Sequence, residues 1–573
     1  MGTEFDMEKY GHMPSEPCDP GSLTSGWSSA TTNASSIPSS LISEMDNLNI
    51  DQGRLERYAA EAGDARFMSD KTLESHTKSL REKAISSMLK RIKSAMNVDL
   101  CYVLDCTGSM YRHIAAAKDC ILQVVSYMER TNPSIKIRVG FCGYRDHCDG
   151  DDKLQIFDFT NSYDQFRNNI SEKVSAKGGG DGPEDVLGGL DAAITQMSWL
   201  HTTRVIFHIG DYPPHGRQFT TMYDSYPEGD PNGLTAESVL EKMQSSNILY
   251  FFGKITHHTD EMLSIFRDII GEIQVFDFDS VELISKYFQA TCLTITSSVS
   301  LTATLGNDVY SLRRKELEID TEEPDWDTIE EQTGAVLRYR LPKTLDDIMN
   351  KEYFQKSNAD LQNLSFKLAP KPFSVGAERY AYFALDVKRV PAEKVVIKEY
   401  LEIGRKANSV ERYLEAVEVS AIAHFLSKQF NIEAKRVGIN KKVKFLQAKL
   451  LRSTTTGFKK QYYTIEPNLR NAKYKRFNVN SGIITEFHST LEAFAHFTYD
   501  YTEGFLLVYD LQGAEFSDQF LLTDPAIQCT DSLRFGRTNL GKRGIEDCFL
   551  ANHKCSSVCK KLGLDVTTLP TMT

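Results

Sequence analysis

The C-terminal stretch 536–564 concentrates the residues most suited to metal chemistry. It reads GRTNLGKRGIEDCFLANHKCSSVCKKLGL and joins a glycine-punctuated loop to His553, Cys555 and Cys559. Thiolate sulfur and imidazole nitrogen suit zinc, which takes four ligands in a tetrahedral site. His496 is a candidate for the fourth ligand. Free cysteines are also common as small core residues, so the spacing alone leaves both interpretations open.

A second chemical signal is a lysine inside an apolar strand. The stretch KVVIKEYL contains Lys398, and a kinase needs such a lysine against the α- and β-phosphates of ATP. The alternative is an ordinary edge-strand lysine. The helical segment that follows supplies Glu415 and Glu418, either of which could pair with Lys398, and the alternative is that one or both are ordinary surface charges. The H-R-D, D-F-G and G-x-G-x-x-G signatures are missing, which excludes the conventional protein kinases.

Four motifs together resemble the alpha-kinases, a family of atypical Ser/Thr protein kinases. They are DLQG at 510–513, LTDP at 522–525, the GRTNLGKRG loop and the closing HKCSSVCKKLGL. The resemblance covers roughly the last 230 residues. It implies a two-lobed α+β kinase domain with a structural zinc on His496, His553, Cys555 and Cys559.

The same resemblance implies roles in phosphoryl transfer. Asp510 would orient the acceptor hydroxyl, while Gln512 and Asp524 would hold Mg²⁺. The residues implied to contact ATP are Arg379, Lys398, Glu466 and Leu469. The backbone N–H groups of the loop containing Gly536, Gly541 and Gly544 would hold phosphate or peptide.

The chain between residues 97 and 292 alternates short apolar runs with helical patterns. The runs begin with VDLCYVLD and continue with IKIRVGFCGYRD, KLQIFDFT, TRVIFHIGD, NILYFFGKI and EIQVFDF. This alternation predicts an α/β doubly wound parallel sheet with helices on both faces. Ligands of such sheets bind at the carboxyl ends of the strands.

Polar loops follow three of these strands and suggest a site for a divalent cation. The DxTxS pattern of Asp105, Thr107 and Ser109 resembles the metal-ion-dependent adhesion site of von Willebrand factor A domains. By that resemblance these three are ligands, Asp211 is a later carboxylate and Asp181 a fourth contributor. Oxygen donors of this kind suit Mg²⁺ or another hard cation. The alternative is that the Asp and hydroxyls merely cap the next helix.

We therefore divide the chain into five parts. Residues 1–53 form an acidic, Ser/Thr-rich tail predicted to be disordered, and 54–96 a helical segment. Residues 97–292 form the A domain, 293–340 a linker whose TSSVSLTATL stretch is strand-like, and 341–573 the kinase domain.

Composition restricts the class of partner and the cellular compartment that we expect. The net charge of −12 argues against nucleic acid as the main partner. Eleven scattered cysteines and an acidic N-terminus without an apolar core predict a cytoplasmic protein. No apolar run approaches the roughly 20 residues of a transmembrane helix, although peripheral membrane association is compatible with the sequence.

The sequence as a whole predicts an ATP-dependent Ser/Thr kinase for protein substrates, with myosin-tail-like helical proteins as the analogous targets. Its A domain would bind a protein partner and recruit or position the enzyme. Two alternatives stay open: a nucleotide-binding pseudokinase scaffold, and a metal-dependent binding module.

Overall fold

The computed structural model describes residues 70–278, 282–306, 318–376, 378–401, 409–454, 461–469 and 472–564. The predicted disordered tail at 1–53 and residues 54–69 of the helical segment lie outside these ranges. The rest of that segment forms helix α1, Asp70–Ala95, as its periodicity predicts. Among the described residues no helix is both long and apolar enough to span a bilayer.

The A domain is a six-stranded sheet with helices on both faces. Its strands are β1 Asn97–Asp105, β2 Lys136–Tyr144, β3 Leu154–Thr160, β4 Thr203–Gly210, β5 Ile248–Lys254 and β6 Gln274–Asp277. Its helices are α2 Tyr111–Thr131, α3 Tyr163–Lys173, α4 Val186–Thr195, α5 Ala236–Ser245, α6 Asp260–Ile270 and α7 Leu283–Leu305. The strands fall where the apolar runs predict them.

Side chains of β1 face two separate cores. Leu100 and Tyr102 point toward α1, α2, α3 and α7, whereas Cys101 and Val103 point toward α4, α5 and α6. The strand order is β3-β2-β1-β4-β5-β6. Every neighbouring pair is parallel except β2 and β3, so the prediction of a wholly parallel sheet is wrong at this edge. The link between β2 and β3 spans only residues 145–153, which is too short for the crossover that a parallel pair needs.

The stretch TSSVSLTATL, predicted as extended, instead ends helix α7. Its β-branched residues favour a strand locally, but Ile295, Val299 and Ala303 recur at helical spacing and are buried against the A domain. Tertiary packing therefore overrides local propensity here.

The first kinase lobe is a sheet that closes on itself. It contains β7 Gln332–Tyr339, β8 Ala359–Leu368, β9 Ser374–Val375, β10 Arg379–Asp386, β11 Glu393–Tyr400, β13 Lys449–Ser453 and β14 Gln461–Pro467. The order is β11-β14-β13-β7-β8-β10-β9, and β10 also pairs with β11. Strand β7 lies within the predicted linker, so this lobe begins before the predicted boundary at residue 341.

The second lobe carries the turns that contain Asp510 and Asp524. Its strands are β12 Lys442–Phe445, β15 Tyr474–Arg476, β16 Leu506–Tyr509, β17 Gln512–Glu515, β18 Gln519–Thr523 and β19 Ala526–Cys529. Its helical elements are α8 Leu345–Met349, α9 Val410–Arg436, α10 Ser489–Tyr501, α11 Gly541–Arg543, a π-helix Gly544–Leu550 and α12 Ser557–Lys561. Both α8 and α9 also pack against the first lobe, since their buried residues join Leu337 and Leu450 in one core.

The A domain packs directly on the kinase through the end of α2 and the turn after it. The side chain of Asn132 donates to the carbonyl of Ile484 at 2.9 Å and accepts from its N–H at 2.7 Å. Ser134 bonds Asn552 at 2.5 Å. Asn132 and Ser134 precede β2, so this contact lies at the amino end of the sheet, opposite the loops that carry Asp105.

Candidate active site and metal centres

Lys398 lies at the centre of a buried charge cluster between the two lobes. It sits on β11, where alternation directs its side chain inward, and only 7% of it is exposed. Its ammonium contacts Glu466 Oε1 at 2.5 Å, Asp524 Oδ2 at 2.6 Å and Thr523 Oγ1 at 3.2 Å. A buried lysine paired in this way stays charged, as phosphate binding requires.

The partner of Lys398 corrects one prediction. We expected a glutamate of helix α9, either Glu415 or Glu418, but the carboxylate bonded to the lysine is Glu466 of the adjacent strand β14. Glu418 bonds the buried Arg534 at 2.9 Å. The side chain of Glu466 therefore holds the lysine, in addition to the adenine contact expected of this segment.

Arg379 approaches Asp524 from the other side. Its guanidinium donates to Asp524 Oδ1 at 2.7 Å, so the two carboxylate oxygens face two different cations. Burial alone would raise the pKa of Asp524, but Arg379 and Lys398 outweigh it and lower the pKa to about 2. Burial would lower the pKa of Lys398, yet Asp524 and Glu466 raise it. The ionised forms of all these groups therefore stabilise one another.

Asp510, the predicted acceptor-orienting residue, is held by a basic side chain that the sequence did not single out. Arg476 of β15 bonds it through both nitrogen donors, at 2.9 and 3.2 Å. Burial raises the pKa of Asp510, and Arg476 opposes that rise only in part. Asp510 also adopts φ = 57°, which is uncommon outside glycine and typical of functional turns.

Gln512 ties the Asp510 turn to the Asp524 turn. Its amide donates to the backbone carbonyl of Asp524 at 3.1 Å, and its oxygen accepts from Tyr474 at 2.7 Å. Asp524 has φ = 49°, so both acidic turns are strained in the same sense. The adjacent Gly513 has φ = 149° and no room for a Cβ, which would lie 2.2 Å from the Leu521 carbonyl. The carboxylate and amide oxygens gathered here suit Mg²⁺.

The remaining predicted nucleotide residues lie in two places. Leu469 directly follows β14 and the Glu466 segment. The glycine loop contacts helix α1, where Arg81 donates to the carbonyls of Gly536 at 3.1 Å and Asn539 at 2.6 Å. Gly541 packs near Ile85, and Gly544 packs against Gln528 and Leu540.

The four predicted zinc ligands converge in the second lobe, although 57 residues separate His496 from His553 in the sequence. Their ligand atoms all lie within 4.8 Å of one another. Cys555 Sγ lies 3.6 Å from His496 Nδ1, and Cys559 Sγ lies 3.7 Å from His553 Nε2. Two ligands at zinc distances of about 2.3 and 2.1 Å and a tetrahedral angle would lie about 3.6 Å apart. The donor set and its spacing thus both fit zinc.

The electrostatics of this cluster also favour a cation. Burial raises the pKa of Cys559, but His496 and His553 outweigh it and lower the pKa to about 6, which favours the ligating thiolate. The second nitrogen of His553 faces Glu492, with Nδ1 to Oε2 at 3.9 Å. A carboxylate behind a histidine ligand is the usual arrangement around protein-bound metals.

The A-domain loops bring carboxylates together at the carboxyl end of the sheet. Asp105 Oδ1 accepts from the N–H of Thr107 at 2.8 Å and its hydroxyl at 2.7 Å, and Ser109 lies 3.4 Å from that hydroxyl. Among the described residues, Asp105 Oδ2 and Asp211 Oδ1 are buried without hydrogen-bond partners. Burial and the neighbouring Asp211 raise the pKa of Asp105. A divalent cation would relieve this repulsion.

The loop before α4 adds two acidic residues, Asp181 and Glu184, to this end of the sheet. Asp181, predicted as a fourth contributor, lies within 4.8 Å of ligand atoms of Asp146 and His215. Glu184, which the sequence reasoning missed, is 2% exposed and has a buried oxygen without a partner. Burial, then Asp105 and further carboxylates, raise its pKa to about 11. Glu184 lies in GGGDGPED, a loop that the sequence already marks as polar, and this position was the signal that could have identified it.

Comparisons with known proteins match both halves of the chain. The model of the alpha-kinase family matches residues 374–559, and that of the von Willebrand factor A domain matches residues 99–222. Alpha-protein kinase vwkA of Dictyostelium discoideum is 34% identical over 514 residues, covering 86% of this chain and 80% of that protein.

Other matches are confined to the C-terminal part. Myosin heavy chain kinase B of the same organism is 33% identical over 199 residues, or 35% of this chain and 25% of that protein. The solved alpha-kinase domain of myosin-II heavy chain kinase A in complex with AMP-PNP is 27% identical, with a TM-score of 0.35, and covers 42% of this chain and 97% of that chain.

Proposed function

Because the chain belongs to the alpha-kinase family and also carries a von Willebrand factor A domain, it is a Ser/Thr protein kinase, and we propose that the Lys398–Asp524 cluster is where it takes phosphate from ATP. The observation that carries this proposal is the buried contact of Lys398 with both Glu466 and Asp524. It fixes a positive charge in a cleft between the lobes, where an anionic nucleotide needs one.

Each side chain then has a distinct task in phosphoryl transfer. Lys398 and Arg379 neutralise phosphate oxygens, and Leu469 with the Glu466 backbone borders the adenine. Gln512 and Asp524 offer the oxygens that would hold Mg²⁺, which supplies charge neutralisation at the transferred group. Asp510 accepts a hydrogen bond from the substrate hydroxyl and orients it toward the phosphate.

Arg476 adjusts the acidity of Asp510. The buried carboxyl would otherwise tend to stay protonated, and the guanidinium 2.9 Å away favours its ionised form. An ionised Asp510 can accept the hydroxyl proton as the new bond forms. An active kinase needs this ionised carboxylate, whereas a nucleotide-binding scaffold does not. The Arg476–Asp510 pair at this turn therefore favours an active kinase.

We propose that zinc binds His496, His553, Cys555 and Cys559 and stabilises the second lobe without taking part in chemistry. Cys559 is fully buried and joins the core that contains Leu491 and Phe494 of α10, so the site would tie α10 to the C-terminal segment. Thiolate ligands of this kind agree with a reducing, cytoplasmic setting.

We further propose that the A domain binds a divalent cation through Asp105, Thr107, Ser109 and Asp211 and recruits protein partners there. The A domain contacts the kinase domain at the amino end of its sheet, through Asn132. The Asp105 loops lie at the other end of β1, which is nine residues long. At about 3.3 Å per residue, the cation loops lie roughly 25–30 Å from that contact and point away from it. By analogy with the relatives named for myosin heavy chains, the substrates are helical proteins bearing Ser or Thr.

A comparison of two substrates tests this division of labour. The intact chain should phosphorylate a short Ser/Thr peptide and a full-length helical partner protein. The variant Asp105→Ala should keep its rate on the peptide and lose rate on the partner, and Asp119→Ala, an exposed acid of α2, should match the wild type on both. If Asp105→Ala keeps the wild-type rate on the partner protein as well as on the peptide, a recruiting role for the A domain is contradicted.

A further inference from the structure

A histidine held between two aspartates lies beside the Asp105 loops. His215 is 2% exposed; its Nδ1 contacts Asp224 Oδ1 at 2.7 Å and its Nε2 contacts Asp146 Oδ1 at 3.0 Å. Asp146 comes after β2, and His215 after β4, so the two meet at the carboxyl end of the sheet.

Backbone N–H groups hold Asp224 in front of one ring nitrogen of His215. The two oxygens of Asp224 accept from the N–H groups of Gly216 at 2.7 Å and Tyr226 at 2.8 Å, which fixes the carboxylate in front of His215 Nδ1. When Nδ1 donates to this carboxylate, Nε2 of a neutral ring carries a lone pair. This is the arrangement in which a carboxylate orients a metal-binding histidine.

The lone pair of Nε2 then faces another acceptor. Asp146 Oδ1 already accepts from the N–H of His147 at 2.5 Å, so it brings no proton of its own. Two acceptors at 3.0 Å repel each other unless a cation bonds both, and that cation is either a proton on His215 or a metal ion.

Neighbouring groups separate these two possibilities. Asp181 Oδ2 accepts from the N–H of Ser225 at 2.6 Å, whereas its Oδ1 is buried and, among the described residues, has no partner. Glu184 also has a buried oxygen without a partner there, and its N–H bonds the carbonyl of Pro213, two residues from His215. A proton on His215 would leave both oxygens unsatisfied. A divalent ion bound by Asp146, Asp181 and His215 would satisfy Asp181 and place a charge close to Glu184.

We propose that Asp146, Asp181 and His215 form a second cation site of the A domain, which takes Zn²⁺ or a similar imidazole-binding transition metal. Its ligand atoms lie within 4.8 Å of one another. Imidazole favours zinc over Mg²⁺, whereas the oxygen-only donors around Asp105 suit the harder ion. The thiol of Cys148 donates to Asp146 Oδ2 at 3.1 Å and holds that carboxylate beside the site. The inference does not depend on the kinase activity.

The test is zinc stoichiometry of the intact chain by elemental analysis after equilibration with Zn²⁺ in excess Mg²⁺. The wild type should hold one equivalent more than either His215→Gln or Asp181→Asn, with His257→Gln, an exposed histidine of the same domain, matching the wild type. Asp181 is only partly buried, so its variant also serves should His215→Gln fail to fold. Equal zinc in all four proteins would overturn the proposal and leave His215 as a protonated imidazole.

Two further variants locate the ion. Asp224→Asn should weaken zinc affinity by about 10- to 100-fold without abolishing it, because Asp224 acts only through His215. Asp105→Asn should leave the extra equivalent in place. Loss of that equivalent in Asp105→Asn would assign the zinc to the Asp105 loops and contradict a separate site, as would an unchanged affinity in Asp224→Asn.

Discussion

The ammonium of Lys398 lies 2.6 Å from Asp524, although 126 residues separate them in the chain. The lysine comes from the first lobe and the aspartate from the second, so this contact joins the two lobes. The pKa of Asp524 is lowered to about 2, which keeps it ionised and able to bind a cation. In the proposed site, Asp524 therefore links nucleotide binding to metal binding.

Replacing Asp510 should stop transfer and spare nucleotide binding. Asp510 bonds Arg476 rather than the Lys398 cluster, so Asp510→Asn should bind ATP with unchanged affinity. Its rate of transfer should fall by about 10²- to 10⁴-fold, the usual contribution of a general base. Single-turnover kinetics and nucleotide titration measure both quantities. Asp500→Asn, an exposed acid of α10, is the control, and an active Asp510→Asn would assign the role elsewhere.

Removing one zinc ligand should destabilise the second lobe. Cys559→Ser should lose one equivalent of zinc and melt at lower temperature, because binding of a structural zinc is part of the folding free energy. Cys548→Ala removes a buried cysteine of the same lobe outside the ligand set, and it should keep the metal. Elemental analysis with thermal melting checks this. A Cys559→Ser protein with unchanged zinc content and melting would refute the assignment.

The contact between Asn132 and Ile484 should stabilise the docking of the A domain. Asn132→Ala leaves two backbone groups of Ile484 without a partner, at about 1–3 kcal/mol for each buried group. Amide exchange should accelerate at residues 483–487, and denaturant unfolding should shift to lower concentration. Asn168→Ala on the exposed face of α3 serves as the control. Unchanged exchange would show that the docking depends on other contacts.

Buried His208 should make a contribution to the stability of the A domain that is lost below about pH 6.5. His208 is buried between the hydroxyls of Tyr144 at 2.8 Å and Tyr250 at 2.7 Å, and burial lowers its pKa to about 3. Between pH 3 and 6.5 the unfolded chain protonates this histidine and the folded chain does not, so the contribution of His208 to stability rises with pH over that range. The loss between pH 7 and pH 5 is about 2 kcal/mol.

Denaturant titrations at several pH values measure this dependence. The slope between pH 5 and 6.5 should decrease in His208→Asn, whereas His257→Gln, an exposed histidine, should keep the wild-type slope. An identical slope in wild type and His208→Asn would show that other groups govern acid stability.

Sequence motifs identified the proposed catalytic side chains but not their partners. Lys398, Asp510 and Asp524 stand in recognisable stretches, whereas the Lys398–Glu466 pair depends on the register of β11 against β14. Arg476 sits in a lysine- and arginine-rich run with no local sign that it meets Asp510. The proposed zinc ligands were identifiable because a metal restricts residue type as well as spacing.

The fold was predicted where periodicity is strong and missed where packing decides. The strands of the A domain are apolar runs with clear ends, and the structure has them in those places. The end of α7 has strand-like composition and became helical because its apolar face meets the A-domain core. Strand β7 was read as linker, since its pairing partners β8 and β13 come later in the chain.

The most direct test of the account is phosphate transfer from Mg²⁺-ATP to a Ser/Thr protein substrate by the intact chain and by Lys398→Ala. Lys394→Ala, an exposed lysine on the same strand with its own acidic partner, is the matched control, and thermal melting checks that all three proteins fold. We expect full activity in wild type and Lys394→Ala, and none above background in folded Lys398→Ala. Undiminished transfer by Lys398→Ala would contradict the proposed active site, and no transfer by the wild type would favour a nucleotide-binding scaffold.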